Sequence, residues 1–353
     1  KSSEKTSATA VGLVAAVALV FSLLFLVVQW VATTFTPRLT LFRDAPIVWR
    51  TFAITVGLVA FCITAAFTIG HDNDTSLVVP AAAMLLVLVM LGMLRALQFR
   101  AFAAIQLSPA LNSIAAPGRT VLLDLAAISG AGSPPAPLPP RQATITWPHP
   151  PAVLQRVDED RLLAAARTAN AVVVIRHTPG ATLYHGTPIA DIHGAPIPEA
   201  TILAALDVGT ERTFEQDPLL AFRLLADIAL RALSPAINDP ATAVQALDEL
   251  GDLLTRAADI PLAPMRFTDH DGTDRLLVRV PEWGTFVRVA VDDIIATART
   301  SPMVLQHLRQ VLEHVRDHTP RDRRDALTPR LSWVDEELTT RFPHLPPTDP
   351  TTE

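Results

Sequence analysis

Lysine is missing after Lys5, and cysteine occurs once, at Cys62. A single thiol can build neither an intrachain disulfide framework nor a cysteine metal cluster. Charge is sparse as well: Asp, Glu, Lys and Arg make up 18% of the 353 residues and sum to −6, which leaves no basic excess for a general nucleic-acid surface. There is no Gly-rich phosphate loop, no Gly-x-Ser-x-Gly elbow and no Gly-x-Gly-x-x-Gly turn from strand to helix. These absences count against the common nucleotide-binding and serine hydrolase designs.

What the chain holds in excess is apolar. Half of its residues are hydrophobic, too many for an ordinary soluble protein of this length. Three apolar runs, 8–31, 48–69 and 77–97, each approach the ~20 residues that cross a bilayer core, so three transmembrane helices are expected. The first run lacks a small-residue cleavage site and continues into Gln29 and Trp30, which argues against a signal peptide. Arg38, Arg43 and Arg50 separate the first two runs, while His71-Asp-Asn-Asp-Thr-Ser76 separates the second and third. By the positive-inside rule the arginine loop, and everything after Arg100, faces the cytoplasm. An odd number of spans leaves Lys1 outside, so a further span upstream is expected.

Ser22, Gln29, Thr33 and Thr36 follow one another at spacings of 7, 4 and 3 and share one side of the first helix, with Arg38 just beyond. Polar groups inside lipid need a partner or water. Such a face lines a water-filled path or a subunit interface; alternatively, its hydroxyls bond back to their own helix and Gln29 sits at the membrane surface.

After the runs, apolar positions from Phe102 to Ile114 suggest further helix, kinked at Pro109, broken near Pro117-Gly118 and extended by 121–128. Residues 1–128 thus form a transmembrane domain with a cytoplasmic helical extension, and the Pro/Gly-rich stretch 129–142 is a linker. A small β-module at 143–198 follows, with strands at 143–147, 153–157, 171–175, 181–184 and 189–192 and a helix at 158–169. Its order of strands and Pro/Gly turns resembles half of a lipoyl-like barrel sandwich, but with no lysine after Lys5 no lipoyl or biotin can be attached. A mainly helical domain spans 199–342, with helices at 199–206, 217–233, 240–257, 283–298, 302–318 and 322–342 and a hairpin of 265–267 with 275–280. A polar tail, 343–353, ends the chain. The expected fold class is therefore membrane α-helical plus a cytoplasmic α+β domain.

Two of these helices open on Asp-Pro. Asp217 and Asp239 are placed to cap free N–H groups, and Pro218 and Pro240 to take the first helical position. On the first helix Arg223, Asp227 and Arg231 fall at i, i+4 and i+8, a charged ladder running into the corner Ser234-Pro-Ala-Ile-Asn-Asp239. It reads either as an exposed, self-neutralising face or as a buried interface or ligand site made of Arg223, Asp227, Arg231, Ser234, Asn238 and Asp239. Capping accounts for the Asp-Pro pairs and leaves Arg231, Ser234 and Asn238 without a role. Asp269, Asp271 and Asp274 lack the glycine offset and final glutamate of a calcium loop. His314 and His318 have i, i+4 spacing without the rest of a zinc motif, and turns separate His177, His185 and His193. No metal and no cofactor is expected.

The segment Gly209-Thr-Glu-Arg-Thr-Phe-Glu-Gln-Asp217, followed by Asp227-Ile-Ala-Leu-Arg-Ala-Leu-Ser-Pro-Ala-Ile-Asn-Asp-Pro240, resembles the bacterial family of predicted membrane proteins catalogued as domain of unknown function 2254. The resemblance extends to Gln29-Trp-Val-Ala-Thr-Thr-Phe-Thr-Pro-Arg-Leu39 and to Pro179-Gly180 through Gly186-Thr-Pro188. Trp30 and the pair Thr33-Thr34 depart mildly from the family pattern. The resemblance implies a multi-pass protein of the bacterial cytoplasmic membrane with a further N-terminal span, and it supplies no activity. No nucleophile-base arrangement is evident either. The expected function is an oligomeric ion channel or transport-like protein, gated or assembled by its cytoplasmic domain. Its partners are then the lipid bilayer, further copies of itself, and ions or a small solute, but no nucleic acid. The alternative is a membrane-anchored scaffold or sensor that binds a partner or small ligand through that domain.

Overall fold

The computed structural model describes residues 107–128 and 137–345, together with isolated helical positions between 50 and 96. The chain divides into two compact units, Lys1–Ala110 and Leu111–Glu353; the first long helix is α1 (Leu107–Ile128). In the first unit the described apolar side chains Leu85, Leu88, Val89 and Leu91 are exposed.

α1 shows how this sequence decides between helix and break. Pro117 removes one N–H and costs an isolated helix ~3 kcal/mol, yet α1 runs through it. Tertiary packing overrides the local preference: Leu111, Ile114, Ala115, Val121, Leu122 and Leu125 form one buried stripe at helical spacing. Gly118 sits on that stripe, where an added Cβ would collide with Ala221 and meet Leu253 at 3.6 Å. Beside it Arg119 donates to Asp252 (2.6 Å) and pairs with Glu249. The expected break at Pro117-Gly118 is instead the point of closest approach.

The β part begins at β1 (Arg141–Thr146) and continues through β2 (Ala152–Val157), α2 (Glu159–Ala169), β3 (Ala171–Ile175), β4 (Thr182–Leu183), β5 (Pro188–Gly194), α3 (Glu199–Leu203) and β6 (Leu206–Gly209). α4 (Leu220–Ala232) and α5 (Pro240–Ala258) follow, then the hairpin β7 (Met265–Thr268) and β8 (Asp274–Val278). The last part holds α6 (Trp283–Val287), a π-helical turn (Arg288–Asp292), α7 (Asp293–Thr297), α8 (Pro302–His318) and α9 (Thr328–Arg341).

Five strands form a sheet in the order β1-β5-β3-β8-β7, and three form a second in the order β4-β2-β6. All pairings are antiparallel except β3 with β8, where Val173, Val174 and Ile175 lie opposite Leu276, Leu277 and Val278. β3 is central and nearly all buried, as its unbroken Ala-Val-Val-Val-Ile sequence requires. Leu154, Leu162, Val173, Ile192, Leu206 and Leu276 share one core, so both sheets and the hairpin close over the same apolar centre. Among the helices, α5 packs on α4 and α8, and α8 on α9; Phe222 of α4 meets Phe286 of α6 edge to face with centroids 5.3 Å apart.

This architecture corrects the expected fold class. A membrane α-helical chain of three spans with a cytoplasmic α+β domain was the expectation; the described residues form a mixed α/β fold with two sheets, and no helix among them is long and apolar enough to cross a membrane. The longest described helix, α1, buries its apolar stripe against protein and carries Arg119 and Asp124 outside that stripe. The three apolar runs at 8–31, 48–69 and 77–97 lie outside the described residues apart from the isolated positions.

Candidate functional site

The corner between α4 and α5 is built by short local bonds. The Ser234 hydroxyl donates to the Arg231 carbonyl (2.7 Å), and the Asn238 N–H reaches the Ser234 carbonyl (2.9 Å). Asn238 adopts a φ of 49°, a left-handed conformation that asparagine tolerates better than most side chains. The Asp239 N–H then returns to the Ala232 carbonyl (2.8 Å), which closes the turn. The Asp239 carboxylate caps α5 by accepting from the Thr242 N–H (3.1 Å) and hydroxyl, with Pro240 in the first turn. Replacing Asp239 by alanine is expected to cost about 1 kcal/mol, read as a lower urea midpoint at unchanged slope.

The ladder divides at its last rung. Arg223 pairs with Asp227 one turn on (2.9 Å) and with Asp293 of α7 (3.3 Å), so the first rung ties α4 to α7. Arg231 is different. Its Nε is buried with no hydrogen-bond partner among the described residues. A buried donor left unpaired costs ~1–3 kcal/mol, and native structures keep few of them.

The first Asp-Pro pair does another job from the one its sequence suggests. α4 begins at Leu220, and although Asp217 accepts from the Leu219 N–H (3.0 Å), its main partner is Arg212, which grips both carboxylate oxygens at 2.5 and 2.7 Å. The Asp217 side chain is 1% exposed. Gly180, with a φ of 92°, lies directly on this pair: an added Cβ would overlap the carboxylate. Next to Asp217, the Gln216 side chain accepts from the Val157 N–H (2.8 Å) and donates to the Val157 carbonyl (3.1 Å) and to Glu159 Oε1 (2.7 Å). The segment 209–217 is thereby clamped between the β2 end, the turn at Gly180 and the start of α4.

This clamp borders a pocket of about 460 Å³. The last turns of α1, the start of α2, the turn at Thr178-Pro179 and residues 279–281 complete it. Glu159 is half-buried in its wall, and burial raises its carboxyl above the usual carboxylate range. With the folded-state value raised, the neutral form is favoured by folding; this contribution is complete below the unfolded value and is lost as pH climbs through the folded one. Ionised Glu159 therefore works against the folded state at neutral pH.

Other polar groups singled out in the sequence are engaged locally. Asp269 accepts from the Asp271 and Thr273 N–H groups and pairs with Arg275 (2.8 Å), whose hydrogen bond lowers the Asp269 carboxyl. Asp274 is gripped by Arg266. His177, His185 and His193 bond three separate carbonyls, those of Pro188, Pro148 and Pro139. His314 and His318 stack at 4.2 Å, and His318 Nδ1 bonds the His314 carbonyl. The polar membrane face of Ser22, Gln29, Thr33, Thr36 and Arg38 lies outside the described residues. Sequence reasoning missed Glu159, Arg212 and Gly180; the available signal was that the family-like segments 179–188 and 209–217 contain the last two.

A family model described as predicted membrane protein, domain of unknown function 2254, matches residues 6–314. The chain belongs to this family. Uncharacterized proteins of Mycobacterium tuberculosis and Mycobacterium bovis are 29% identical to it over 325 residues, covering 86% of this chain and 61% of theirs. The chain thus spans less than two thirds of the length of these relatives. No solved structure matches it. The matched range contains both the clamp and the corner.

Proposed function

We propose that the chain is an oligomeric channel- or transport-like membrane protein whose described domain is a non-catalytic regulatory body, receiving an anionic ligand or a partner's carboxylate at the Arg231 corner. The observation that carries this reading is the buried, unpaired Nε of Arg231 beside a turn closed by its own backbone, hydroxyl and carboxylate hydrogen bonds. An acceptor brought from outside would complete the guanidinium. Gly118 and Arg119 of α1 key that helix to α4 and α5, the two helices that form the corner.

Liposomes holding the purified protein test both parts. Ion or solute flux under varied voltage, pH or tension is expected, and Arg231→Met is expected to change its response to soluble carboxylates and phosphates at least several-fold while leaving the oligomer intact. Absence of flux under every condition rejects the transport reading. Flux that responds identically in Arg231→Met rejects the corner as its control point.

A further inference from the structure

We propose that the pocket between α1, α2 and the 215–218 segment binds an organic monocation, a protonated amine carried on a compact apolar body. Its volume of about 460 Å³ falls within the ~300–1,000 Å³ of small-molecule sites. The charge on its walls is mostly negative: Asp124, Glu159, Asp160 and Glu215 line it with one cation, Arg279, and Arg156 reaches Glu215 at 3.9 Å. Between the charges the walls are hydrocarbon, with Leu125 of α1 and Phe267 of β7 among them.

Glu159 sets the chemistry. Its hydrogen-bond donor is the neutral amide of Gln216, and that amide is itself fixed on both sides by the Val157 backbone. The carboxylate is thus held in place by a neutral hydrogen-bond donor, while Arg156 acts on it only through its charge. Arg156 itself is bound to Asp207 (2.8 Å) and lies 3.9 Å from Glu215. An acid in the first turn of α2 could serve the helix alone, but Asp158 already caps that helix, and a helix-dipole role asks for an exposed carboxylate, whereas Glu159 is half-buried at a cost in stability. Acids that a fold retains against its own stability mark binding or catalytic sites more often than structural ones. No group of three or more His, Cys, Asp or Glu among the described residues is placed to hold a metal ion, and the apolar walls suit hydrocarbon. An ammonium on an apolar body meets both demands. This assignment is independent of the Arg231 corner and of any flux.

The test is a calorimetric titration of the full chain in lipid nanodiscs, with empty nanodiscs as the blank. Phenethylammonium is the probe and 2-phenylethanol its neutral counterpart. The wild type is expected to favour the amine by about tenfold, the worth of one partly desolvated ion pair. Glu159→Gln removes the charge yet leaves an oxygen for Gln216 to donate to, so it is expected to erase that preference while unfolding at a temperature no lower than the wild type at pH 7. Asp124→Asn, on the opposite wall and exposed, is expected to weaken the preference without any change in folding. Equal binding of amine and alcohol to the wild type, binding of neither, or a preference that survives Glu159→Gln overturns the proposal.

Discussion

Arg212→Ala is expected to destabilise the domain by about 3–5 kcal/mol, because it strands a buried charge. Asp217 is 1% exposed at its side chain, and Arg212 supplies the two charged hydrogen bonds that keep the carboxylate tolerable there. With the guanidinium gone only the Leu219 N–H remains at hydrogen-bond distance. For a unit of this size each kcal/mol moves the melting temperature by ~2–4 °C, so thermal unfolding should fall by roughly 6–20 °C. The contrast with a double replacement gives the mechanism. Arg212→Met with Asp217→Leu removes both charges and is expected to recover most of the loss. A single alanine variant that costs under ~1 kcal/mol would show that water or another group reaches Asp217, contrary to the burial.

Gly180→Ala should produce the second large effect, through the same pair from the other side. The backbone φ of 92° alone costs a residue with a Cβ about 1–3 kcal/mol. The methyl group would also approach Arg212 Nη2 at 2.8 Å and overlap the buried Asp217 carboxylate; displacing it adds ~1–3 kcal/mol. Since Pro179 and Thr178 line the pocket beside Glu159, amine binding should weaken together with stability. Measured with Arg212→Ala, the two losses are expected to sum to clearly less than additively, because the second variant acts on a pair already broken. Full additivity in denaturant titrations would separate Gly180 from the ion pair.

Local signals in the sequence located the elements; distant pairings decided how they join. Ser301 before Pro302 names the start of a helix, and α8 begins at Pro302 with the Ser301 hydroxyl facing the Val304 N–H (3.5 Å). The Ala171–Ile175 strand is equally plain, since β-branched residues run unbroken from Val172 to Ile175. β6 escaped notice because Leu206-Asp-Val-Gly209 is too short to show a period and directly follows a helix; its identity comes from β2, where Val157 lies opposite Leu206. The site divides in the same way. Arg231 stood out in the sequence as a residue with no assigned bond, and its buried Nε keeps that distinction. Arg212 and Gly180 are 32 residues apart with nothing in either neighbourhood to suggest contact, and Asp217 looked like a helix cap because the Asp-Pro device is written identically at 217 and 239. Pro117 misled for the opposite reason: a strong local breaker yielded to a stripe of buried side chains visible only once α4 and α5 are in place.

The parallel pairing of β3 with β8 has a kinetic side. Val173 must find Leu276, and until α4 and α5 have been traversed the chain has no strand to put there. Loop closure over such a distance is slow and is rewarded late. A nascent chain that has emerged only as far as β6 therefore carries an unpaired, wholly apolar edge on β3, the kind of edge that recruits other chains. The hairpin, which holds the last two strands of the chain, is the element that silences it.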